Sequence, residues 1–193
     1  MSDLESTESL NVKDYLESLK YGDEISFDEF KKISDKFTKE DYLKFLNMEF
    51  DDICDPYEKP AEELYKILLF VYNQLDISQE EFNKILEDMI IKYLKRGEQF
   101  EFLISLLEKI YCQNNFNFDI NIFVIPALEW LVKMQNSAGI DGDYYKDFKY
   151  SGYLIISFLG IHGANFETDE ATTFIKKFDK KDYYYPQFTK NPI

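Results

Sequence analysis

The stretch Asp119-Ile-Asn-Ile-Phe-Val-Ile-Pro-Ala-Leu-Glu-Trp-Leu-Val-Lys133 constrains this chain more than any other. Between its ends it carries one charge, Glu129, beside the chain's sole tryptophan, Trp130. A helix that is apolar nearly all round cannot lie on a surface, so the segment is expected to run through the middle of the fold. Pro126 leaves two ways to build it. Either the regular helix starts near the proline, where a missing N–H costs little, or it starts at Asp119 or Asn121 and bends. At roughly 1.5 Å per residue the segment is too short to span a bilayer.

The rest of the chain has enough apolar material to bury such a helix. Of 193 residues, 45% are hydrophobic, with 18 Phe and 15 Tyr, which excludes a disordered chain. Five Pro and seven Gly leave little for the turns of a β-sandwich. Cys54 and Cys112 are far apart and form no CxxC pair, which disfavours a disulfide framework or a thiolate zinc site. The acidic N-terminus shows no secretory signal and no apolar run approaches ~18 residues, so a cytoplasmic protein without a membrane span is expected.

Helical periodicity recurs along the chain. Residues 1–10 read as a flexible N-terminus and 11–193 as a single α-helical domain. Asn11 caps a helix with Val12, Tyr15, Leu16 and Leu19 on one face and Gly22 as its stop. Ser26 to Glu29, Thr38 to Asp41 and Ser78 to Glu81 read as capping boxes. The second opens a helix with Tyr42, Phe45, Leu46, Phe50 and Ile53 buried. Pro56 and Pro60 break the chain before a helix from about Ala61 to Leu75. The third box opens a helix carrying Phe82, Ile85, Leu86, Met89, Tyr93 and Leu94, and the pattern repeats over 98–112. Asn136 to Asp143 reads as a loop. The apolar run Tyr153 to Ile161 is short enough to be helix or buried strand, and its helical neighbours favour helix. Thr168 caps a last helix, and the aromatic tail Tyr183 to Phe188 is expected to pack back on the body. The expected fold is all-α: an array or irregular bundle of antiparallel helix pairs, with breaks spaced like those of HEAT units.

The net charge of −15 is unevenly spread, with −9 in residues 1–60. Direct nucleic-acid binding needs a basic footprint, which the chain lacks. Classical catalytic constellations are equally scarce. His162 is the only histidine, so it reads as a structural or loop residue, and no HExxH or two-histidine metal site exists. Asp141-Gly-Asp143 opens like an EF-hand loop, but Tyr145 and Lys146 stand where a ligand and the turn glycine belong. Gly160 to Gly163 lacks the lysine of a phosphate loop. No enzyme activity, cofactor or metal is expected.

Partner binding is the remaining class. Glu49, Asp51, Asp52, Asp55 and Glu58, interleaved with Tyr57, form the densest acidic cluster. If the helix after Thr38 continues to about Asp55, then Asp51, Asp52 and Asp55 share a face, and their repulsion invites a basic partner. Asp141, Asp143, Tyr144 and Tyr145 form a second candidate surface, because tyrosine buries area while keeping a polar tip.

Tyr150-Ser-Gly-Tyr153 opening an apolar helix, followed by Tyr184-Tyr185-Pro186, resembles the C-terminal part of helical immunity proteins of bacterial polymorphic toxins, the PoNi kind. Where that family carries a Trp and an acidic residue after the Gly-aromatic step, this chain reads Leu154-Ile-Ile-Ser157. The resemblance implies an immunity protein or antitoxin that binds a basic, nuclease-like toxin domain. A nucleic-acid-mimicking inhibitor, such as a phage anti-defence protein, is the alternative.

Overall fold

A computed structural model describes residues 11–20, 25–48, 58–96, 100–112, 118–137, 152 and 154–177. The regular elements are α1 (Val12–Lys20), α2 (Phe27–Ser34), α3 (Lys39–Leu46), α4 (Glu58–Gln74), α5 (Gln79–Arg96) and α6 (Phe100–Cys112). A 3₁₀ turn (Ile120–Phe123), α7 (Val124–Ser137), α8 (154–161) and α9 (Asp169–Ile175) follow. The fold is all-α, with no strand among the described residues. The run ending at Ile161 is helix, as its neighbours suggest. The flexible stretch 1–10, the Gly22 and Gly97 stops, Phe50 and Ile53, the break at Gln113 to Asn115, most of the 136–143 loop and the tyrosine-rich tail lie outside the described residues. At the front of that loop, Asn136 and Ser137 belong to α7 instead.

Two compact units divide the chain, Met1–Ile77 and Ser78–Ile193. In the first, α1, α2 and α3 have 9, 8 and 8 residues. Helices below ~12–15 residues are marginal in water on their own, so packing has to hold them. The centre of that packing is Phe30, fully buried. Its ring lies 4.9 Å from Phe45, 5.2 Å from Phe37, 6.2 Å from Phe70 and 6.3 Å from Tyr15, linking all four helices. Along α4, Ala61, Leu64, Leu68 and Val71 are fully buried, and the helix packs on α2 and α3. The Tyr15 hydroxyl is buried with no hydrogen-bond partner among the described residues, and burial, then the charge of Glu29, raises its pKa.

Capping sets most of the helix starts. Thr38 forms the expected box: its hydroxyl accepts from the Asp41 N–H at 3.2 Å, and Asp41 accepts from the Thr38 N–H at 2.8 Å. At α2 the Ser26 hydroxyl stands 3.5 Å from the Glu29 N–H. There a third residue takes over. The Glu63 carboxylate, on α4, accepts from the Phe27 N–H at 2.8 Å and from Lys66 at 2.7 Å. One helix thus caps another, and α2 is tied to α4 by charge as well as by Phe30. Ser78 accepts from the Glu81 N–H at 3.1 Å to open α5.

In the second unit α7 packs against α5, α9 and the 3₁₀ turn. Asp119 caps that turn, accepting from the Asn121 N–H at 3.0 Å, and the chain passes into α-helix at Val124. Both expected starts are therefore used in succession. Pro126 falls third in α7, as Pro60 does in α4, where its missing N–H has no intrahelical acceptor. Val124, Ala127, Leu128, Trp130 and Leu131 are buried, but Glu129 and Lys133 reach solvent. So α7 is a core helix with one wet edge, not one buried all round. Gly152 lies against its inner face, with Trp130 Cζ3 3.7 Å from where a Cβ would stand.

Candidate functional site

The residues singled out from the sequence are not brought together by the described structure. Glu49, Asp51, Asp52, Asp55, Tyr57, Asp141, Asp143, Tyr144 and Tyr145 lie outside the described residues, and Glu58 is described only as the first residue of α4. One premise does change. Helix α3 ends at Leu46, where the Asn47 N–H returns to Leu43 and its side chain to the same carbonyl at 2.8 Å. A helix running on to Asp55 is what would have placed Asp51, Asp52 and Asp55 on one face, and α3 does not run on. The side-chain amide of Asn47 competes for the carbonyls that the next turn would need.

A different site is built where three connecting segments of the second unit meet. The first is the end of α8. Gly163, at φ +83°, occupies the left-handed position that only glycine adopts without strain. Its N–H bonds the Gly160 carbonyl at 3.0 Å and the Ala164 N–H bonds Leu159 at 2.9 Å, a Schellman ending. The motif turns the chain sharply and sets Ile161 and His162 on its outer side.

Next comes the end of α6. The Tyr111 ring centroid lies 5.0 Å from that of His162, which in turn is 4.4 Å from Phe158. Phe158 stands edge-on to Tyr111 at 6.0 Å. His162, half-buried, is thus the loop histidine expected from its neighbours, held by two rings.

The third is the Asp119 turn. Tyr111 donates to the Phe118 carbonyl at 3.4 Å, so its hydroxyl lies beside Asp119. Asp119 also accepts from the Asn121 side chain at 2.8 Å, and Asn121 accepts from the Asn165 N–H at 2.7 Å. That last bond ties the turn after α8 to the turn before α7 across 44 residues.

Charge around this junction is acidic. Burial pushes the Tyr111 phenol up to about 12, and the carboxylates of Asp119 and Glu87 add to it. Burial likewise raises the Glu87 carboxyl, Asp88 and Asp119 adding to the effect against the pull of Lys84. Lys84 itself pairs with Asp88 at 3.1 Å. Glu87 and Lys84 also edge an open depression of about 750 Å³ at the start of α5. No group of three metal-ligating side chains occurs among the described residues, nor any helix long and apolar enough to cross a membrane.

Sequence reasoning missed this junction because its members come from three distant segments. One signal was available. At about 100° per residue, Ile161 lies roughly 200° from the buried Leu159, so the last residue of the apolar run faces outward. It is 69% exposed. Comparison of the chain with protein-family models, with curated proteins and with solved structures returned no match.

Proposed function

We propose that this chain is a non-enzymatic, acidic, all-α binding protein of the cytoplasm: an immunity protein or antitoxin that occludes a basic, nuclease-like toxin domain. The observation that carries the reading is where the charge sits. The first unit holds 20 acids and 9 lysines, a net −11. Its described residues 11–20 and 25–48 carry seven acids and seven lysines. Segments 1–10, 21–24 and 49–57 carry nine acids and no lysine. Helices α1 to α3 are electrically balanced, residues 58–77 carry four acids and two lysines, and most of the excess lies in the three other segments. A fold that needed acid only for solubility could spread it over helix faces. Concentration in a few segments suits steering of an oppositely charged surface, which raises association rates to roughly 10⁸–10⁹ M⁻¹s⁻¹ at low salt.

The test begins with capture of the partner from the native source and continues with association kinetics across a salt series. Reversal of Asp51, Asp52 and Asp55 to Lys should slow association, with the helical circular dichroism unchanged, and salt should slow the wild type in the same way. A partner with an acidic face, or rates indifferent to both changes, refutes the reading.

A further inference from the structure

The short helices of the first unit are tied to it unequally. Helix α2 is joined to α4 by the Glu63 carboxylate, which accepts from the Phe27 N–H at 2.8 Å. It is joined to α3 by the Tyr42 hydroxyl, which donates to the Ser34 carbonyl at 3.2 Å. Among the described residues, the polar contacts of α1 all stay within its own turns. Asn11 accepts from the Lys13 N–H at 3.2 Å, Ser18 donates to the Tyr15 carbonyl at 2.9 Å, and Lys13 meets Glu17 at 4.0 Å. What holds α1 in place is the burial of Tyr15, Leu16 and Leu19.

Tyr15 acts both for and against that burial. Its ring lies 6.3 Å from Phe30, but its hydroxyl is buried with no hydrogen-bond partner among the described residues. A hydroxyl that gives up water without gaining an acceptor opposes docking, where the same ring without the oxygen would only favour it. With 9 residues, α1 is also too short to stay helical alone. Leaving its seat and unwinding are therefore one event.

We propose that α1 is a releasable strap: it docks and leaves as a unit while α2 to α4 stay folded, and the unpaired Tyr15 hydroxyl keeps the docked state shallow. Release uncovers the Tyr15 side of Phe30, the centre of the first unit's aromatic packing, so α1 controls access to that ring. Sub-global openings of this kind fall on the elements with the fewest ties to the rest of a fold. The inference goes beyond the binding reading and does not depend on it.

The test is amide hydrogen exchange on the full chain through a series of sub-denaturing urea concentrations. The amides of Tyr15 to Lys20 should exchange together, more than tenfold faster than the slowest amides of α2 to α4. Their opening should also depend less steeply on urea, because it exposes less surface. Tyr15→Phe removes the unpaired hydroxyl and should raise the protection of the α1 amides about tenfold. Leu16→Asp with Leu19→Asp holds the strap open, and α2 to α4 should keep their slow amides in that variant. A single protection level and urea slope shared by α1 and α2 to α4 overturns the proposal. So does α1 protection unchanged by Tyr15→Phe, or loss of the slow amides of α2 to α4 in the double variant.

Discussion

A methyl group added to Gly152 would overlap Cδ2 of Leu131, with Trp130 immediately behind. Glycine at 152 is therefore a matter of space, because a side chain there would have to displace the inner face of α7. Gly152→Ala should destabilise the second unit by about 1–3 kcal/mol, the usual cost of overpacking. Leu131→Ala in the same chain should recover part of it. Chemical denaturation of both single variants and the double variant measures the coupling, and a purely additive result would show that the two residues do not compete for one space.

Trp130 itself is 2% exposed. Trp130→Ala should cost about 3–5 kcal/mol, and native tryptophan emission should be blue-shifted relative to the unfolded chain. A solvent-like emission maximum in the native protein would remove Trp130 from the core.

The Glu63 link predicts acid sensitivity in the first unit. The Lys66 hydrogen bond, and after it the Phe27 N–H, holds this carboxyl below its ordinary value near 4.5, against the opposing effect of burial. A depressed folded pKa gives stability that is complete above the ordinary value and lost as pH falls through the folded one. Glu63→Gln, which still offers Phe27 an acceptor, should flatten that acid limb with a small loss at neutral pH. Glu63→Ala should cost about 1.5–3 kcal/mol, because a charged acceptor is lost and the Phe27 N–H at the start of α2 is left without it. Thermal melts from pH 3 to 7 decide it. Equal acid limbs in the wild type and the Gln variant would show that Glu63 does not carry the effect.

Tyr111 predicts the opposite limb. Its phenol is raised to about 12 while an unfolded tyrosine ionises near 10. The folded state keeps the proton longer, so stability is complete below the unfolded value and declines as pH rises from there toward the folded one. Burial raises the phenols of Tyr15 and Tyr42 as well, so Tyr111→Phe should reduce this decline and remove one tyrosine's share of the late tyrosinate absorbance. A decline and a late amplitude both unchanged in the Phe variant would take Tyr111 out of the effect.

Local signals made much of the fold legible. Asn11, Thr38, Ser78 and Thr168 announce their helices because a cap and the first turn it serves lie within a few residues. The stripe Leu64, Ile67, Leu68, Val71 and Leu75 is buried throughout, since packing on one face imposes the helical period. Glu63 carries no local mark at all, because the N–H it caps is 36 residues away. The junction at His162 was hidden for the same reason, with Tyr111 and Asp119 arriving from other segments. Only the outward phase of Ile161 could have been read beforehand.

Pro60 and Pro126 have a consequence beyond the starts of α4 and α7. Each helix would need the missing N–H to grow one turn toward the N-terminus, so its origin is pinned. Residues inserted ahead of Glu58, or ahead of the turn that Asp119 caps, leave unaltered which side chains of the following helix face inward. One residue inserted just after either proline rotates everything downstream by about 100° and carries Leu64 and Leu68, or Leu128 and Leu131, out of register. These two rings act as zero marks on a scale, and length variation in this fold is tolerated on one side of each mark and not on the other.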